Sequence, residues 1–160
     1  MTTIISEAPV SVELTNKSLI SDQVWERLVS YIAKEKDMER PIAERIMDQT
    51  LGFLKLIALS PGRTFCPSKM VDIGWHAFLM HTREYFEFCE RVNGQYIHHD
   101  PTEVLVVVAR TGGVTETVRA MKANSITVDE MLWTALGDCD GDGDGSCDAS
   151  SACGGEGEGC

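Results

Sequence analysis

All four histidines of this 160-residue chain fall between positions 76 and 99, and an aspartate stands four residues before the first of them. Asp72 and His76 lie on one stripe of a helix, where a carboxylate can fix the imidazole tautomer or both groups can face one ion. His98, His99 and Asp100 follow the helix stop at Asn93-Gly94, where the chain can fold back toward that stripe. A set of Asp72, His76, His98 and His99 has the ligand chemistry of a divalent transition metal such as zinc. Against it stand the lack of any H-E-x-x-H or C-x-x-C spacing and the fact that neighbouring residues of an extended segment point apart. The other reading of the same residues is a satisfied polar cluster that ties the loop to the helix. His81 lies about 140° round a straight helix from His76, and Cys89 lies about 12 Å along it from His81, so neither completes a triad on that helix. Cys66 and Cys89 read as small apolar packing groups, with no basic side chain evidently poised beside them. Trp25, Trp75 and Trp133 read as core anchors.

A second group of candidate ligands sits near the C-terminus. Residues 137–160 hold eight glycines, seven acids and four cysteines, with no lysine or arginine. Cys139, Cys147, Cys153 and Cys160 lack the paired spacing of a zinc ribbon, although a flexible chain could wrap a soft metal or serve as substrate for a modifying enzyme. Asp140, Asp142, Asp144 and Gly145 match the first half of a calcium loop, but Ser151 stands where its glutamate belongs. With no aliphatic side chain larger than alanine, nothing in this tail repays the entropy of ordering it.

The elements that must position Asp72 and the histidines read as helices. Ser21 caps an expected helix over 21–36, Pro41 opens one over 41–59, and Pro67 precedes a third over 68–92 that is apolar nearly all round and so expected to be the central, most buried one. "DPTE" at 100–103 has the form of a helix start, a short helix is expected near 114–123, and Thr127 with Glu130 makes a capping box for a last one over 128–136. The fold class is all-α: about five helices around a central buried helix. The expected organisation is a flexible segment over 1–20, a helical domain over 21–136 and a disordered tail over 137–160.

The formal net charge of −11, from 25 acidic and 14 basic residues, is the wrong sign for a nucleic-acid partner. The first lysine is Lys17 and the longest apolar run is "VLVVVA", so neither a secretory start nor a membrane span is expected, and the reading is cytoplasmic.

The run Val71, Asp72, Trp75, His76, then Tyr85 and Cys89, then Gly94, Tyr96, His98, His99 and Pro101 resembles the pattern of glycine-rich domain-containing proteins, short bacterial relatives among them. The resemblance covers roughly residues 40–101 and extends to a glycine- and cysteine-rich tail. It implies little about activity. Many such relatives carry aspartate where His81 stands, which implies that His81 is not a required ligand.

Three functional expectations follow. The first is a non-enzymatic binding or adaptor protein whose protein partner is unknown. The second is a metal-dependent enzyme using Asp72, His76, His98 and His99. The third is a precursor or carrier whose Cys-rich tail is modified.

Overall fold

The computed structural model describes residues 13–99 and 113–135. Five α-helices run in chain order: α1 (Asp22–Glu35), α2 (Arg40–Leu59), α3 (Lys69–Leu79), α4 (Thr82–Asn93) and α5 (Gly113–Ala123). A short 3-10 turn, Lys17–Leu19, precedes them and a π-helical turn, Met131–Ala135, follows. Among the described residues there is no strand, and no helix long and apolar enough to cross a membrane. The expected helix from Asp100 and the tail over 137–160 lie outside the described residues.

Local sequence accounts for the helix starts. The Ser21 hydroxyl accepts from the Val24 N–H at 3.3 Å, and the stripe of Trp25, Leu28, Val29 and Ile32 is then buried. Pro41 occupies the first turn of α2, where a missing N–H costs nothing. The Ser68 hydroxyl caps α3 by accepting from the Val71 N–H at 3.2 Å.

Two expectations about the helices are corrected. The central helix is α2, which packs on α1, α3, α4, α5 and the 3-10 turn and buries Asp48, Gln49 and Thr50 along with its apolar residues. Distant partners satisfy these three polar side chains: Asn16 meets Asp48, the Thr127 carbonyl meets Gln49 and the Val71 carbonyl meets Thr50. The second correction is that the helix expected over 68–92 is two helices, broken at Met80–His81. In a continuous helix the His81 N–H would donate to the Ala77 carbonyl. Here the His81 ring Nδ1 takes that carbonyl at 2.9 Å, and the backbone N–H turns to Phe78 O at 2.9 Å.

The α2–α3 contact is close because Gly74 has no side chain. A Cβ there would lie 2.1 Å from Thr50 Oγ1, whose hydroxyl sits 2.9 Å from Ile46 O and 3.1 Å from Val71 O. Part of the lead-in expected to be flexible is also packed. Asn16 is buried, its N–H donating to Asp48 Oδ1 at 2.7 Å and its side-chain amide to Asp48 Oδ2 at 3.1 Å.

Candidate metal centre

Capping by Ser68 fixes where α3 begins and so places Asp72 in its first turn, where the helix dipole favours a carboxylate. His76 stands one turn further along the same face. The third residue comes from the loop after α4. Gly94, at φ 68°, ends that helix in the left-handed conformation, and its N–H donates to Glu90 O. The chain then returns to α3 as a loop without regular secondary structure.

A buried relay holds that segment. Trp75 Nε1–H donates to Tyr85 Oη at 2.9 Å, and the Tyr85 hydroxyl donates to the Ile97 carbonyl at 2.7 Å. Tyr85 is fully buried, and burial pushes its phenol well above the ordinary tyrosine range, so the O–H remains a donor. Two residues beyond Ile97, the His99 ring lies with its centroid 4.3 Å from Trp75 and 4.5 Å from His76.

Asp72 is the hub. His99 Nε2 is 2.7 Å from Asp72 Oδ1, and His76 Nδ1 is 3.1 Å from Asp72 Oδ2 and 2.9 Å from the Asp72 backbone oxygen. Each of these ring nitrogens faces oxygen acceptors, so each carries the proton and donates it. One ligand atom from each of Asp72, His76 and His99 can be chosen so that all lie within 4.8 Å of one another. In a tetrahedral zinc site with bonds near ~2.0–2.1 Å, ligand atoms stand ~3.3 Å apart, so a metal would enter where protons now bridge. The side chains differ in exposure, 59% for His76, 35% for Asp72 and 10% for His99. The face bearing His76 is therefore open to solvent.

The other candidate residues fall elsewhere. His98, expected beside His99 in the ligand set, is exposed, with its ring 4.9 Å from Tyr96, and is not among the three side chains that converge. His81 sits at the helix break, its ring edge-on to Tyr31 at 5.4 Å. Cys66 and Cys89 are buried and form no disulfide, and burial pushes both thiols upward in pKa, which disfavours the reactive thiolate. Asp100, Cys139, Cys147, Cys153 and Cys160 lie outside the described residues. Sequence reasoning missed Tyr85 as the positioning group. Its signal was present, since Tyr and Trp rings buried in a core need partners for their polar tips.

A family model described as UCP032817-like matches residues 15–124, a span that contains the cluster and the relay. The chain belongs to the UCP032817-like family. This corrects the resemblance to glycine-rich domain-containing proteins, a family that the match does not show. Several residues behind that resemblance, Trp75, Tyr85 and His99 among them, are accounted for by the bonds that hold the loop on α3. No curated protein and no solved structure matches this UCP032817-like chain.

Proposed function

We propose that this UCP032817-like protein is a non-enzymatic, cytoplasmic binding protein whose Asp72, His76 and His99 hold one divalent transition metal, with zinc the best fit to two imidazoles and a carboxylate. The observation that carries the reading is the convergence of three ligand-type side chains from two separate chain segments within 4.8 Å. A purely structural tie needs no second imidazole at a solvent-open face, yet His76 occupies one.

The test is titration of metal-free protein with Zn²⁺ against a chromophoric chelator, using full-length chain with the four tail cysteines changed to serine. One zinc per chain, lost in Asp72→Ala and in His99→Ala, is expected. Cobalt substitution should give a visible spectrum without thiolate charge transfer. Absence of stoichiometric binding, or binding indifferent to both substitutions, would sink the reading.

A second reading is favoured by the open face of the cluster. Three protein ligands leave a coordination position for water, the arrangement of hydrolytic zinc sites. Hydrolysis of an activated ester by the zinc-loaded protein, abolished in Asp72→Ala, would replace the binding reading with a catalytic one.

A further inference from the structure

The other face of the His99 segment borders a cleft of about 230 Å³, lined by the loop before α3, by Trp75 and by the 93–99 segment. Phe65, Trp75 and Tyr96 contribute rings to a wall that also carries polar side chains, and His99 forms part of the boundary on the side of Asp72 and His76. Phe65 and Trp75 are each at most 6% exposed, so their positions are set by the core. Tyr96 is braced edge-on against Tyr85 at 5.2 Å. An apolar cavity of roughly 150 Å³ is enough to hold benzene, so the cleft has room for one aromatic ring with a small substituent.

The chemistry at the lip selects the substituent. Arg63 lines the cleft, with its guanidinium carbon 4.9 Å above the Phe65 ring. One of its nitrogens, Nη2, donates to Glu116 Oε1 at 2.9 Å, and a guanidinium has further N–H groups in the same plane. Glu116 is shared with Arg119, which donates from Nε at 2.8 Å and Nη2 at 2.9 Å. Among the described residues, two guanidinium groups thus meet one carboxylate, so Glu116 does not by itself neutralise Arg63. Gln95 and Thr64 also line the cleft and supply neutral polar groups.

We propose that this cleft binds a small aromatic carboxylate, with its ring between Phe65, Trp75 and Tyr96 and its carboxylate on Arg63. Stacking against the rings supplies apolar burial, and planar pairing with the guanidinium supplies the selection for an acid. The site is independent of metal, although His99 borders both.

Benzoate is the probe, with benzyl alcohol as its neutral analogue and acetate as the acid without a ring. Binding is followed in chelator-treated full-length protein by the indole N–H resonance of Trp75, with Trp25 and Trp133 as internal references. Saturable binding of benzoate that shifts Trp75 selectively is expected, with benzyl alcohol and acetate each at least tenfold weaker. Arg63→Gln should weaken benzoate at least tenfold and leave benzyl alcohol unchanged. Glu116→Gln, which removes the competing negative charge beside Arg63, should tighten it. His76→Ala should leave benzoate affinity unchanged whether or not zinc binding is lost, so failure of the metal reading and failure of this one are distinguishable. Equal binding of benzoate and benzyl alcohol, equal binding of acetate, or a Trp75 resonance that does not move would each overturn the proposal.

Discussion

Two aspartates each gather distant parts of the chain, and they do so with different partners. Asp48 is 1% exposed and accepts from the Asn16 N–H, the Asn16 amide and, at 3.4 Å, the Gln49 amide. Gln49 extends the cluster by donating to Thr127 O at 3.2 Å and accepting from Asp129 N–H at 3.0 Å and Trp133 Nε1–H at 2.8 Å. Arg45 closes it with a bidentate pair to Asp129 at 2.6 and 2.8 Å. The Asp72 cluster is more open, and its donors are imidazoles. An amide cannot exchange its proton for a metal at neutral pH, whereas an imidazole nitrogen can. Donor type therefore separates the closed clamp from the candidate site.

The sharpest way to break the contrast is Asp48→Ala. It takes the acceptor from the buried Asn16 N–H and side-chain amide, while the Gln49 amide keeps Thr127 O, and a loss of roughly 3 kcal/mol is expected from a penalty of about 1–3 kcal/mol for each unsatisfied group. Urea unfolding measures it, and zinc stoichiometry should be unchanged. The acid dependence of the same variant follows from the carboxyl itself. Burial pushes Asp48 above the ordinary carboxylate range, against the hydrogen bonds from Asn16 that pull it down. The folded state then holds the proton more tightly than the unfolded chain. Stability from this group is fully present below the ordinary carboxylate pKa and is lost as pH rises through the raised folded value. Asp48→Ala should accordingly cost more in acid than at neutrality, as read from urea midpoints across that window.

Tyr85→Phe comes next. It removes the hydroxyl that accepts from Trp75 and donates to Ile97, at a cost of about 1–3 kcal/mol. Unlike Asp48→Ala, it should also weaken zinc, because the segment that carries His99 loses its tether. Equal zinc affinity in wild type and Tyr85→Phe would mean that the loop is held by packing alone.

The same contrast explains what was legible in the sequence. Helix α1 was readable because its cap, Ser21, and its apolar stripe are local features. Asp72 with His76 was readable because four residues is one helical turn. The centrality of α2 was hidden, since Asp48 and Gln49 depend on Asn16, Thr127, Asp129 and Trp133, which lie 32 to 84 positions away. The break at His81 was hidden for the opposite reason. No proline or glycine marks it, and a side chain competing for its own helix carbonyl leaves the periodicity of the flanking residues nearly intact. The choice between His98 and His99 depended on which of two neighbouring loop side chains faces α3, and the Ile97 carbonyl meeting Tyr85 is what holds that loop.

The smallest effect on stability is expected from His76→Ala, and it tests the site most directly. His76 is the most exposed member of the cluster at 59%, and its bonds to Asp72 lie within one helical turn, so their net worth in water is a few tenths of a kcal/mol, about that of an i,i+4 pair. Asp72 keeps its contact to His99 at 2.7 Å in the variant, so no buried charge is stranded. Thermal unfolding of the metal-free protein should therefore be nearly unchanged. In the presence of zinc the two proteins should separate. A ligand bound only by the folded state raises stability by about 2.7 kcal/mol at a hundredfold excess over its Kd, and His76→Ala should forfeit most of that rise. A wild type that gains no stability from zinc, or a His76→Ala variant that gains as much, would make the Asp72 cluster a structural clamp like that of Asp48.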